Sequence, residues 1–288
     1  MPANGNRAGD MARPPETFCW SGRPMQETVG EIEIEGMLPV LKGKVAIVTG
    51  AGQGVGRGIA LALAGEGAAV AVIGRTLAKC ERTVAEIAAA GGKAIALACD
   101  VSKREAVDGV VAEVVAALGA IDIVVNNAHT SNPLVPMMET SEKDLAIAFK
   151  GFHGAFHFMQ ACFPYLKGRQ GRVINLGSVA GIRGDDGFAA YAAAKEAVRA
   201  MSRVAAREWG VHGITVNVIC PFSESPGVEW MIANQPGFID ELTGQTAMKR
   251  LGSSTDDVGA TVAFLCGPGG SYITGQTINV DGGIWIAP

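Results

Sequence analysis

From Val45 onward the chain alternates between two kinds of segment, and this alternation restricts the fold more than any other feature. Short apolar or β-branched runs occur at Val45–Val48, Ala69–Ile73, Ala94–Ala98, Ile121–Val125, Val173–Leu176, Thr215–Ile219 and Thr277–Val280. Longer amphipathic stretches lie between them, near 56–66, 77–90, 103–117, 141–166, 189–209 and 255–266. Continuously apolar strands must be buried on both faces, which a parallel sheet covered by helices achieves. Right-handed crossovers then give an α/β fold with a doubly wound, seven-stranded parallel sheet flanked by helices. No internal repeat interrupts the pattern, so residues 41–288 read as one domain. The less regular segment 222–252 is the candidate substrate loop. Residues 1–40 contain Pro2, Pro14, Pro15, Pro24 and several glycines without a periodic apolar face, and are expected to form a mobile N-terminal extension.

Composition narrows the function. A formal net charge of −4 lacks the basic footprint that nucleic-acid binding needs. An apolar content of 48% against 18% charged residues supports a large core. No apolar run reaches the roughly 18 residues that span a membrane, and the N-terminus has no apolar core of a secretory signal, so a cytoplasmic protein is expected. The six cysteines (Cys19, Cys80, Cys99, Cys162, Cys220 and Cys266) are scattered singly and read as reduced thiols. His153 and His157 stand one helical turn apart, but without an acidic or cysteine partner no metal site is expected.

The run Thr49-Gly50-Ala51-Gly52-Gln53-Gly54-Val55-Gly56 joins the first strand to the first helix. Gly50, Gly54 and Gly56 allow a tight turn and close approach of backbone to a pyrophosphate, while Gln53 and Val55 bring that turn to the helix N-terminus, whose N–H groups favour an anion. In this strand–turn–helix setting the run identifies a dinucleotide-binding, Rossmann-type domain. After the second strand, where a carboxylate would bind the ribose hydroxyls of NAD, the chain has Gly74-Arg75. A guanidinium there can pair with a 2′-phosphate, so NADP(H) is favoured, with NAD(H) possible. Asp100-Val101 follows the third strand and could bound the adenine pocket, or Asp100 could cap the next helix. Asn126-Asn127-Ala128 ends the fourth strand, where the residues could tie adjacent loops together or, as Asn126 and Ala128, line the cofactor cleft at the carboxyl edge of the sheet.

Tyr191 and Lys195 are placed one turn apart in an alanine-rich helical stretch and share a face. A phenol is a poor base at neutral pH, and a neighbouring ammonium favours its ionised form. Ser178, thirteen residues before Tyr191, could hydrogen-bond a substrate oxygen. The three suit proton transfer to or from an alcohol or carbonyl oxygen.

Together the Thr-Gly-x-x-x-Gly-x-Gly run at 49–56, Asp100-Val101, Asn126-Asn127-Ala128, Ser178, Tyr191-x-x-x-Lys195, Pro221 and the closing Thr274-Gly275-Gln276…Val280-Asp281-Gly282-Gly283 resemble the short-chain dehydrogenase/reductase family, over about residues 42–286. The resemblance implies a nicotinamide cofactor contacted also by Tyr191, Lys195 and Pro221, and a homotetramer. It implies that Tyr191 is the acid/base, that Ser178 orients the substrate oxygen, and that Lys195 binds ribose and promotes ionisation of Tyr191. Three positions depart from the family pattern. Gly151 stands where a helix asparagine that helps to hold a water is usual. His129 replaces the glycine that ends the Asn-Asn-Ala run, and could face the nicotinamide pocket or turn outward. Pro221-Phe222 replaces Pro-Gly, with Pro226 in place of a threonine; Ser223 or Ser225 could take over its contact.

The expected activity is interconversion of a secondary alcohol and a ketone. Met137, Met138, Phe188, Phe222, Trp230 and Met231 suggest an apolar substrate. The alternative is a catalytically impaired nucleotide-binding protein that acts as a sensor or assembly partner, motivated by Gly151 and the altered loop at Phe222.

Overall fold

The computed structural model describes residues 39–130, 134–235 and 237–286. The expected extension therefore lies outside the described residues up to position 38. Seven strands form one wholly parallel sheet: β1 (Val45–Thr49), β2 (Ala69–Gly74), β3 (Lys93–Ala98), β4 (Ile123–Asn126), β5 (Arg172–Leu176), β6 (Thr215–Pro221) and β7 (Thr277–Val280), in the order β3-β2-β1-β4-β5-β6-β7. Every residue of β1, β4 and β5 is buried, which explains their largely apolar character. Crossovers leave β1 and β4 in opposite directions, so a crevice opens between their carboxyl ends, the usual ligand position in such sheets.

Between the strands lie helices α1 (Gly54–Gly65), α2 (Leu77–Ala89), α3 (Arg104–Leu118), α4 (Glu142–Leu166), α5 (Val179–Arg183), α6 (Ala189–Trp209), α7 (Pro226–Asn234), α8 (Phe238–Gly244) and α9 (Ala260–Cys266). Two cores sandwich the sheet. Ile59, Leu63, Cys80, Ile87, Val262 and Leu265 of α1, α2 and α9 cover one face. Val107, Val111, Phe158, Cys162 and Ala205 of α3, α4 and α6 cover the other. The five cysteines among the described residues are free and buried.

Three features differ from the sequence expectation. The helix expected from 255 opens as a π-helical turn, Ser254–Gly259, before α9. It packs so closely on α1 that a Cβ at Gly58 would stand 2.4 Å from the Ser254 carbonyl. The segment 222–252 contains the short helices α7 and α8 rather than irregular loop. The fourth strand begins at Ile123, and the preceding Asp122 forms an end clamp. Its buried carboxylate accepts from the Val45 N–H at 2.9 Å and pairs with Arg169 at 3.0 Å.

Candidate active site

The crevice at the β1/β4 crossover is a cleft of about 360 Å³. At its phosphate end are Gly50, Gln53, Gly54, Val55 and Gly56. Gly50 and Gly54 have φ of +67° and +55°, which a side chain would strain. A Cβ at Gly56 would stand 2.4 Å from Asn127 Nδ2 and 2.5 Å from the Gly50 carbonyl, so the turn closes only with glycine there. No side chain caps α1 and no acidic residue occupies its first turn. Its unpaired N–H groups and positive dipole end remain available to an anion.

Asn127 locks this turn to β4. Its Nδ2 donates to the Thr49 and Gly50 carbonyls at 2.9 and 3.2 Å. Thr49 Oγ1 accepts from the N–H groups of Asn127 and Ala128, each at 3.0 Å. Ala128 lines the cleft. Asn126 does not: its side chain points into the core, where Nδ2 donates to Asn175 Oδ1 at 2.7 Å, and Asn175 passes the chain to Ser202 at 2.7 Å. The expected cofactor contact of Asn126 is thereby replaced by a buried amide network joining β4, β5 and α6.

At the ribose end Gly74, Arg75, Thr76 and Lys79 line the cleft. Lys79, which also hydrogen-bonds Gln53, is a second cation that sequence reasoning missed; its i+4 spacing from Arg75 was the available signal. Arg57 instead pairs with Glu86. Asp100 and Val101 line the next section. Asp100 does not cap α3, whose N-cap is Lys103. Its Oδ1 accepts from the hydroxyl and N–H of Ser102, at 2.7 and 3.0 Å, and these bonds hold the carboxyl below its ordinary pKa, helped by Lys150 and Arg75. His157 is likewise occupied, with Nδ1 3.2 Å from the Val101 carbonyl. Among the described residues no group of three metal-ligating side chains converges.

The catalytic candidates meet where β5 ends. Ser178 caps α5, accepting from the Ala180 N–H at 3.2 Å, and its hydroxyl favours the ionised form of the Tyr191 phenol. Lys195, one turn beyond Tyr191 on α6, is buried. Its Nζ donates to the Leu176 carbonyl at 2.8 Å and stands 5.7 Å from the Tyr191 ring centre. Burial brings the ammonium down to about 8. The expected lowering of Tyr191 is reversed in the free protein: desolvation raises the phenol above its ordinary value, opposed by the Ser178 hydrogen bond. The reason is the closed apolar surround. Phe188 meets Tyr191 edge-on at 5.6 Å and His129 does so at 4.8 Å.

His129 therefore faces inward, beside Gly151. Of the two serines after Pro221, Ser225 lines the cleft and accepts from the Val228 N–H at 3.3 Å. Ser223 is buried against Ser254 at 3.3 Å. Pro221 ends β6 outside the cleft lining, and the Phe222 N–H is spent on the Val280 carbonyl at 2.9 Å. The side chains of Trp230 and Met231 lie outside the described residues, whereas Met137 and Met138 are exposed.

A family model described as enoyl-(acyl carrier protein) reductase matches residues 50–285. A 12α-hydroxysteroid dehydrogenase of Clostridium sp. is 38% identical over 258 residues, 86% of this chain and 99% of the relative. The 3-oxoacyl-[acyl-carrier-protein] reductase FabG of Staphylococcus epidermidis is 40% identical over 247 residues, 84% of this chain and 99% of the relative. Among solved structures, a short-chain dehydrogenase from Burkholderia cenocepacia in complex with NADP superposes with a TM-score of 0.77 at 33% identity, covering 85% of this chain and 99% of the other. The chain belongs to the short-chain dehydrogenase/reductase family and is an NAD(P)-dependent oxidoreductase.

Proposed function

We propose that the protein interconverts a secondary alcohol and a ketone with NADP(H), using Tyr191 as acid/base. The observation that supports this best is the grouping of Ser178 and Lys195 about Tyr191, with the Lys195 Nζ 5.7 Å from the ring centre. The cleft residues fit a dinucleotide: uncapped N–H groups of α1 suit its phosphates, and Arg75 with Lys79 suits a 2′-phosphate. The neighbour from Burkholderia cenocepacia, solved with NADP, supports the same preference. When bound, the cofactor supplies or accepts the hydride at the carbinol carbon.

The protein's own part is to bind, orient and exchange a proton. Ser178 donates a hydrogen bond to the substrate oxygen. Tyr191 gives its proton to that oxygen during reduction and takes it back during oxidation. In the free protein the raised phenol is protonated at neutral pH, the form that carbonyl reduction requires. Lys195 places a buried positive charge beside the phenolate that forms.

An apolar ketone suits the surroundings. Phe188 walls one side of Tyr191, and a separate 420 Å³ cavity is lined by Pro136, Met137, Ala189 and Ala192 together with Asp185 and Asp186. The relative named for a 12α-hydroxysteroid agrees with this class. The one named for a 3-oxoacyl carrier substrate supports a second reading, reduction of a 3-oxoacyl thioester. A panel of steroid ketones, small cyclic ketones and 3-oxoacyl thioesters, assayed with NADPH, separates them. Turnover of ketones above thioesters supports the first reading, the reverse supports the second, and turnover of neither refutes both.

The homotetramer and the cytoplasmic location belong to the same proposal. Near the C-terminus Ile284 and Trp285 pack within the domain on Val179 and Val218, while Ile286 is exposed. The half-exposed Phe156, stacked on Phe152 along α4, also offers an apolar face. Sedimentation as a monomer at micromolar concentration would refute the tetramer.

A further inference from the structure

His129 presents a combination that packing alone does not explain. Its Nε2 is buried without a hydrogen-bond partner among the described residues. A desolvated ring nitrogen opposes folding, so a ring needed only to fill space would be apolar. The ring meets Tyr191 edge-on, with centres 4.8 Å apart and planes at 75°. Room for it exists because the neighbouring helix position has no side chain. A Cβ at Gly151 would lie 3.3 Å from His129 Nδ1 and 3.2 Å from the Ala128 carbonyl, tighter than ordinary contact, so any side chain there presses on the imidazole.

We propose that His129 is a positioning residue for Tyr191, with Gly151 as the gap that admits it: the ring fixes the phenol's orientation, and the imidazole nitrogen supplies a hydrogen bond to an ordered water through which the phenol exchanges its proton. The inference rests on Tyr191 being the acid/base. The ionisable groups facing the ring are Tyr191 and Lys195 of α6. Burial, aided by the Lys195 ammonium, holds the imidazole down at about 3. It is neutral throughout the working range and has one nitrogen to accept and one to donate. Water passage is chemically reasonable because a buried water needs two or more polar partners, and Lys195 uses only one of its three protons on Leu176.

The test compares five variants with the wild type (two further changes at His129, Gly151→Ala, His129→Gly and the last two combined), each checked for folding by circular dichroism and for cofactor affinity by fluorescence titration. His129→Phe keeps a ring of similar size but no nitrogen. It should lower kcat about tenfold or more and shift the Tyr191 limb of the pH–rate profile, while cofactor Kd, measured separately because His129 also lines the cleft, changes less than kcat. His129→Asn, which restores a polar group, should recover part of kcat. Gly151→Ala should lower kcat in the wild type and lower it less beside His129→Gly, where the ring is gone and only the Ala128 carbonyl is still pressed. Wild-type kcat and pH profile in His129→Phe would overturn the nitrogen's role. An equal effect of Gly151→Ala in both backgrounds would overturn the coupling. If His129→Phe does not fold, the Gly151→Ala pair of backgrounds still decides. Tyr191→Phe is run in parallel: if it retains turnover, the acid/base reading itself has failed, an outcome distinct from failure of the His129 variants alone.

Discussion

Lys195 hangs from the end of β5: its Nζ donates 2.8 Å to the carbonyl of Leu176, two residues before Ser178, and stands 5.7 Å from the Tyr191 ring centre. One hydrogen bond thus ties the helix that bears the phenol to the strand end that presents the serine. The lysine's burial has a thermodynamic consequence, because its charged form is disfavoured in the folded protein. The folded pKa is about 8 against 10.5 for an ordinary lysine. The unfolded chain therefore holds this proton more tightly. Folding is opposed in full below about pH 8, and the opposition fades as pH rises from 8 toward 10.5. The melting temperature of the wild type should accordingly gain on that of Lys195→Met across this interval. A difference that stays flat with pH would show that the ammonium is not desolvated.

Arg75 and Lys79 flank the ribose end of the cleft. Arg75→Ala should weaken NADPH binding about tenfold, equivalent to about 1.4 kcal/mol, and leave NADH within about twofold; Lys79→Ala should do the same to a smaller degree. Fluorescence titration with both nucleotides measures this directly. NADH binding as tightly as NADPH to the wild type would contradict the assignment.

Gly56→Ala places a methyl group 2.4 Å from Asn127 Nδ2 and 2.5 Å from a backbone carbonyl of the same turn. The amide could move, but the carbonyl belongs to the phosphate loop. The variant should fold with a stability loss of about 1–3 kcal/mol and bind either nucleotide at least about tenfold more weakly. Affinity equal to that of the wild type would mean that the turn tolerates displacement.

The amide network behind the site gives the opposite pattern. Asn175→Ala strands Asn126 Nδ2 in the core, while Ser202 keeps its bond to the Val198 carbonyl; this should reduce stability by about 1–3 kcal/mol. Cofactor affinity of the folded fraction should be unchanged, since Asn126 contributes nothing to the cleft lining. Weakened binding without a change in denaturation midpoint would reassign Asn126 to the site.

The sheet was legible because burial on both faces leaves runs such as Val45–Val48 and Val173–Leu176 with almost no polar residue, and all seven strands lie where those runs occur. The phosphate turn was equally plain, since glycine at positive φ leaves a direct mark on sequence. What escaped is set by tertiary neighbours. Helices α5, α7 and α8 span five to nine residues, too few to establish a period. Asn126 and Asn127 are adjacent and chemically identical, yet opposite strand faces send one to the core and the other to the phosphate turn. The raised phenol of Tyr191 depends on desolvation by His129 and Phe188, which no spacing rule reports. The inward turn of His129 follows from the missing side chain at Gly151, a pair twenty-two residues apart whose connection only the fold supplies.

The most direct test of the account is transfer of deuterium from NADPH labelled at nicotinamide C4 to an apolar ketone, read by mass spectrometry of the alcohol, for the wild type and Tyr191→Phe. The account predicts label on the carbinol carbon with the wild type, and a rate at least about a hundredfold lower with the variant at unchanged cofactor affinity. Alcohol formed without label, or labelled at the wild-type rate by Tyr191→Phe, would contradict it.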